Sequence, residues 1–341
     1  MIIALDAMGG DFGLSSSVEG AVLASKTNSC KVILVGKEEL IRKEFLKFSK
    51  KTDIRQFNIE IVNATEIIDM DEQPAKAVRQ KKDSSLCVCA RLVSEGKANA
   101  FVSMGNSGAV MAAALFHLKR TEGVLRPTLA TPMPTLNGYC LVSDSGANVD
   151  CKPEYLMQFG IMASLYCEKI LNIKNPRIGI VSNGEESSKG NELTLAAFEL
   201  LKKSGLNFLG NIEGRDIPKG KADVAVCDGF VGNVILKFGE GLAAMILQLV
   251  KSALKNHPFA WASLPFLWLA IKDLRKKVDY SEVGGVPLLG VNGVCVIGHG
   301  SSNSKAVKNA ILAAAKALKH NLSGEIKSAI ENYNKRLLTN D

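Results

Sequence analysis

RIGIVSNGEESSKGNELTLAAFELLKKSG, residues 177–205, holds the pattern that decides the fold. Its opening, Arg177–Val181, is a short apolar run of β type. A polar, glycine-containing loop runs from Ser182 to Asn191, and the spacing of apolar positions then changes. Leu193, Ala197, Leu200 and Leu201 share one helical face, while Lys202, Lys203 and Gly205 supply the C-terminal signals of a helix. Strand, polar loop and amphipathic helix in that order make one unit of an α/β protein.

The same alternation recurs along the chain. Further strands are expected at Ile2–Leu5, Lys31–Val35, Asn58–Val62, Ala100–Ser103, Cys140–Ser143, Asp223–Cys227 and Gly293–Ile297. Strands this continuously apolar imply a mostly parallel central sheet covered on both faces, a three-layer α/β/α arrangement. The 341 residues, 47% hydrophobic and 22% charged, exclude disorder and collagen-like repeats and allow a large core. No repeat or linker divides them, so 1–341 is read as a single α/β domain. Residues 238–280 break the rhythm as an inserted amphipathic helical segment. From Leu242 the positions Leu242, Met245, Ile246, Leu249, Val250, Ala253 and Leu254 keep helical spacing. Pro258–Ile271 then gives fourteen uncharged residues with both tryptophans, and Lys272, Arg275, Lys276 and Lys277 follow.

Charge is unevenly placed. The net +8 comes almost wholly from residues 251–341, with 13 basic and 6 acidic side chains against 29 and 28 before them. An excess confined to the last quarter suggests a local anionic partner: membrane, acidic protein or nucleic acid. The eight cysteines form no CxxC pair and lie mostly in apolar stretches, as buried free thiols of a reducing compartment do. Met1–Asp6 has no basic n-region and meets an acid after four apolar residues, so no signal peptide is expected, and a cytoplasmic location is.

Open α/β sheets bind ligands at the carboxyl ends of their strands, and polar glycine-rich segments fall there. In Asp6-Ala-Met-Gly-Gly-Asp11 the paired Gly9 and Gly10 allow close backbone approach, and two carboxylates can orient polar groups; a capped tight turn is the other reading. In Met104-Gly-Asn-Ser-Gly-Ala109, Asn106, Ser107 and Gly108 offer free N–H groups at a helix start, which suits phosphate. A close strand–helix contact explains the same residues. Lys189 can neutralise an anion, with Glu185 and Glu186 holding it, or its loop is only capped and solvated. In Gly298-His-Gly-Ser-Ser-Asn303, His299 alone of four histidines sits in such a loop. Four loops at equivalent ends of one sheet can converge on a single anionic substrate. No nucleotide P-loop, G-x-S-x-G elbow or H-E-x-x-H helix is present, and no metal-ligand spacing is visible. Gly239-Glu-Gly-Leu-Ala-Ala244 fits a permissive dinucleotide fingerprint but lacks the acidic residue expected about 20 positions later. No cofactor is expected.

Together the loops resemble the PlsX family. The resemblance rests on Asp6–Asp11, Ala77–Ser85, Ser103–Ala109, Asp144-Ser-Gly-Ala-Asn148, Asn183–Asn191, Gly210–Asp216, Cys227-Asp-Gly-Phe-Val-Gly-Asn233 and Gly284–Gly290, in family order. Two positions depart from the pattern: Leu14 stands where proline is common and Ser107 where threonine is frequent. The resemblance implies an isocitrate-dehydrogenase-like, phosphotransacetylase-like fold. It also implies transfer of a long-chain acyl group from acyl carrier protein to inorganic phosphate, giving acyl phosphate for phospholipid synthesis. Lys189, Asn233 and His299 are then the candidate catalytic residues. Asp6, Gly9, Gly10, Asp11, Asn106, Ser107, Gly108, Asn148, Asn183, Glu185 and Asn191 are the candidate substrate-binding residues. A homodimer, peripheral contact with the inner face of the membrane through Trp261, Phe266 and Trp268, and no nucleic acid complete the expectation. The basic cluster after Ile271 equally suits the acidic carrier protein. Two rival readings are a phosphotransacetylase-like enzyme using acyl-CoA and a non-catalytic peripheral membrane protein.

Overall fold

The computed structural model describes residues 1–48, 54–256 and 280–339. Its strands are β1 (Ile2–Asp6), β2 (Lys31–Gly36), β3 (Ile59–Asn63), β4 (Ala100–Ser103), β5 (Thr128–Thr135) and β6 (Gly138–Ser143). The remainder are β7 (Ile178–Val181), β8 (Phe208–Ile212), β9 (Val224–Val226), β10 (Val286–Leu289) and β11 (Val294–Ile297). They join in one sheet, in the order β3-β2-β1-β4-β11-β10-β5-β6-β9-β7-β8. All eight expected strands are present. The three unforeseen ones carry residues that disguise a strand: Pro132 and Pro134 in β5, Pro287 in β10, and Gly210 at φ +98° in β8.

The helices are α1 (Gly13–Ser25), α2 (Glu38–Phe48), α3 (Pro74–Gln80), α4 (Ser85–Ser94), α5 (Ser107–His117), α6 (Pro153–Lys169), α7 (Glu192–Lys203) and α8 (Gly229–Asn256). Two more follow at Ser304–Lys319 and Leu322–Thr339. Strand residues alternate between two buried layers, as a period of two requires. Ile3 and Leu5 of β1 pack with Val18, Val22 and Ile311 on one side, while Ala4 packs with Val88, Phe101 and Val110 on the other. Burial on both faces is why these strands read as unbroken apolar runs.

Strand direction divides the sheet. β3, β2, β1, β4 and β11 are mutually parallel, and so are β6, β9, β7 and β8. Between them β10 is antiparallel to both β11 and β5, and β5 is antiparallel to β6. Three reversals leave the two parallel blocks running in opposite senses. Their carboxyl ends therefore lie at opposite edges of the sheet.

The inserted helix begins earlier than 238. Asp228 accepts the Val231 N–H (2.9 Å) and starts α8 at Gly229, because an Asx cap outweighs the glycines that follow it. Phe230, Val234, Phe238, Leu242, Met245, Ile246, Leu249 and Val250 are all exposed, Phe238 at 70%. Among the described residues, nothing covers this face of α8. Gly229–Val250 is also long and apolar enough to cross a membrane by length and composition, although Lys237 and Glu240 pair on it. Residues 258–277, with Trp261, Phe266 and Trp268, lie outside the described residues.

Candidate active site

The first polar edge is built where β1, β4 and β11 end side by side. Asp6, the last residue of β1, is buried and accepts a hydrogen bond from the Ser103 hydroxyl at 2.7 Å. That hydroxyl oxygen accepts the Gly105 N–H (3.1 Å), so one serine ties two strand ends together. A β-carbon on Gly9 would meet Asp6 Oδ2 and Gly105 N at 2.8 Å, and Gly10 sits at φ +92° beneath the Gly300 carbonyl. Asp11 N–H donates to that carbonyl at 2.7 Å, locking the first loop to the last. His299 is exposed, and its Nδ1 accepts the Ser301 N–H (3.2 Å) and lies 2.7 Å from the Ser301 hydroxyl. With Nδ1 accepting, the neutral ring holds its proton on Nε2.

Asn106 has a structural task here. Its Oδ1 caps α5 through the Ala109 N–H (3.1 Å), and its Nδ2 donates to the carbonyls of Met70 (2.9 Å) and Glu72 (3.1 Å). Its side-chain amide is committed to shaping the loop, which leaves the backbone N–H groups of this helix start as the candidate phosphate cradle. Gly108 is small because Pro74 of α3 lies against it. Ser107, exposed at the first turn of α5, is the hydroxyl that this helix start presents.

The second polar edge lies across the sheet, where β6, β9, β7 and β8 end. Asp144 is fully buried and accepts from Leu129 N (2.9 Å), Asn148 N (2.6 Å), Asn148 Nδ2 (3.1 Å) and Thr128 Oγ1 (3.1 Å). Burial pushes its carboxyl above the ordinary value, with the four donors pulling against it. The Asn148 carbonyl receives the Gly229 N–H at 2.7 Å, and Asn233, exposed in the first turns of α8, lies beside Gly146. Two strands away stands the Lys189 loop. Asn183 is exposed at its start. Asn191 forms a capping box with Thr194 through its backbone N–H and its Oδ1 (2.9 Å in each direction), a pairing that does not engage its Nδ2.

Glu185 and Lys189 correct the expectation that one holds the other. Glu185 pairs with Lys221 (2.9 Å), whereas Lys189 is exposed and makes no ion pair among the described residues. What fixes the turn is Asn211 on β8, whose Nδ2 reaches the carbonyls of Glu186 (2.6 Å) and Lys189 (3.1 Å). Glu185, Glu213 and Asp216 bring carboxylate oxygens within 4.8 Å of one another, with Lys221 bonded to Glu185 and Asp216.

The expected residues therefore fall into two groups. Asp6, Gly9, Gly10, Asp11, Asn106, Ser107, Gly108 and His299 meet at the first edge; Asn148, Asn183, Glu185, Lys189, Asn191 and Asn233 share the second. Convergence of all four loops within one chain does not occur, because β10 and β5 reverse the second block. Ser103, Asp144 and Asn211 were not foreseen as functional. Asp144 had a signal: like Asp6, it is a carboxylate directly after an apolar strand, followed by small residues.

A family model described as Fatty acid synthesis protein matches residues 1–324. A Phosphate acyltransferase of Endomicrobium trichonymphae is 68% identical over 338 residues, spanning 99% of this chain and 100% of the relative. Another, of Pelotomaculum thermopropionicum, is 50% identical and spans 97% of this chain and 95% of its own length. Among solved structures, a phosphotransacetylase from Streptococcus pyogenes is similar with a TM-score of 0.64 at 20% identity, covering 94% of each chain. The EutD phosphotransacetylase from Staphylococcus aureus gives 0.61 at 17%, again over 94% of each. These two likenesses establish the fold. The sequence matches, continuous from the first loop to the last, show that the chain belongs to the PlsX family of fatty acid synthesis proteins.

Proposed function

We propose that this protein is a phosphate acyltransferase that moves a long-chain acyl group from the thioester of acyl carrier protein to inorganic phosphate. The observation that carries this reading is the near-full-length match to proteins of that name. A phosphate oxygen attacks the thioester carbonyl, the carbon–sulfur bond breaks, and the thiolate leaves and is protonated. A thiolate leaves readily, so the reaction needs charge neutralisation and positioning more than a strong acid or an enzyme nucleophile. Lys189 neutralises the phosphate, and Asn183 and Asn233 donate to phosphate or to the developing oxyanion. Asp6, Asp11 and His299 orient the reacting groups. Asn106, Asn148 and Glu185 hold the loops in shape, since their side chains are already bonded within the fold, and Asn191 caps α7 through Oδ1 while its Nδ2 serves the same loop chemistry as Asn183.

Each edge is incomplete by itself. The first has carboxylates, a histidine and a helix start, but no cation in its three loops. The second has Lys189. A homodimer formed through the exposed apolar face of α8, a helix that starts within the second edge, brings the Lys189 edge of one subunit to the Asp6–His299 edge of the other. Peripheral membrane contact is assigned to the segment with Trp261, Phe266 and Trp268, on its uncharged, tryptophan-bearing composition before a basic cluster. Flotation with anionic liposomes tests it: wild-type binding by a Trp261→Ser plus Trp268→Ser variant removes the anchor.

The deciding assay is acyl phosphate formed from phosphate and long-chain acyl carrier protein, with acyl-CoA as the competing donor. Turnover only from acyl-CoA transfers the chain to the phosphotransacetylase reading. Lys189→Ala is expected to raise the KM for phosphate and lower kcat/KM roughly 100-fold. Near-normal turnover and phosphate affinity in that variant would remove Lys189 from its role.

A further inference from the structure

Helix α3 lies against the first edge. Pro74 packs on Gly108 at the start of α5, and the Asn106 amide grips the Met70 and Glu72 carbonyls just ahead of α3. The outward side of α3 borders an open groove of about 510 Å³, lined by Gln73, Pro74, Ala75, Lys76, Arg79 and Gln80. Two cations and no carboxylate line it. Lys76 and Arg79 stand three residues apart, so they share one side of the helix, where like charges repel. Both are exposed, and neither enters an ion pair among the described residues. Of the nearby bases, Lys81 bonds Glu72 (2.6 Å) and the Ile67 carbonyl (2.7 Å) and Arg91 reaches toward Asp83 (3.9 Å), whereas Lys82, just past α3, is exposed without an ion pair among the described residues and adds to the same positive surface. An uncompensated cation pair in a groove beside a catalytic edge gains by meeting carboxylates.

We propose that the α3 groove is where the acidic carrier protein docks, its carboxylates on Lys76 and Arg79, so that the thioester arm passes over α3 to the Asp6–His299 edge. The inference rests on the reading of acyl carrier protein as donor. Charge complementarity and position name the occupant: a small acid would not need a groove open along a whole helix, and the arm must start close to the edge it enters.

The test combines binding and turnover on the full-length enzyme. Acyl carrier protein is titrated calorimetrically, and acyl phosphate formation is measured at varied acyl carrier protein and at varied phosphate. Lys76→Glu plus Arg79→Glu is expected to weaken carrier binding and raise its KM roughly tenfold. The KM for phosphate and the thermal unfolding midpoint stay at wild-type values, and the charge-conserving Lys76→Arg plus Arg79→Lys pair restores binding. Added salt weakens the wild-type complex more than the reversed one. Wild-type carrier affinity in the Glu variant overturns the docking site while leaving acyl transfer intact. A wild-type enzyme that binds the carrier at α3 but makes no acyl phosphate overturns the acyl-transfer reading and not the docking site. One that binds no carrier overturns the docking site.

Discussion

Ser103 shows how much one hydroxyl can organise. It donates to Asp6 and accepts from Gly105, so Ser103→Ala leaves a buried carboxylate and a loop N–H short of a partner at once. The expected cost is about 1–3 kcal/mol in denaturant unfolding. Arg177 and Asp223 carry a different lesson, about pH. Asp223 accepts from Arg177 Nε (3.0 Å), Nη2 (2.9 Å) and N (2.8 Å). Burial raises its carboxyl pKa, but the Arg177 bonds prevail and hold it below the ordinary value. A lowered carboxyl contributes stability that is present above its unfolded pKa and lost as pH falls through the folded one. Wild-type protein should therefore lose this contribution below about pH 4. Arg177→Ala should be about 1 kcal/mol less stable at neutral pH, the half-exposed guanidinium being screened by solvent. Its stability should also depend less on pH in that acid range, as urea midpoints across pH would show.

At the scale of single elements the sequence was readable wherever one period governs a whole stretch. β1, β2, β4, β9 and β11 are buried on both faces and so announce themselves, and α7 has its cap, stripe and basic end within fifteen residues, 191–205. Elements set by a remote partner were not readable. Pro132, Pro134 and Pro287 hide strands whose pairing is decided elsewhere, and the early start of α8 depends on an Asp228 cap that resembles a loop residue. The apolar side of α8 was legible as a stripe, and its exposure gives a direct prediction. The proposed dimer predicts that Met245→Glu plus Leu249→Glu gives a monomer in analytical ultracentrifugation while the helical circular dichroism stays intact. A dimer of unchanged mass in the variant would remove α8 from the proposed interface, and a monomeric wild-type protein would remove the dimer.

For the whole molecule, the two polar edges are the fact that local patterns could not contain. Each strand–loop–helix unit was visible, but its direction relative to distant units depends on three antiparallel pairings, one of them, β10 with β5, just Leu288 with Leu129 and Leu289 with Thr128. A shared site between subunits predicts complementation. Lys189→Ala and His299→Ala chains, each strongly impaired alone, should regain up to about a quarter of wild-type turnover when mixed as dimers, because half of the molecules then hold one intact site. Mixtures no more active than their parents would refute the shared site.

The place of β11 in the sheet also governs the order of birth. The ribosome delivers β1 to β4 first, yet the neighbour that completes β4 arrives only with Val294–Ile297, after β5 to β9 have emerged as one contiguous run. The younger half can close while the older half waits with the four-residue margin of β4 unpaired. During synthesis that margin is the nascent chain's sticky side, open to chaperones and to other unfinished copies, until the last strand slides in and seals it.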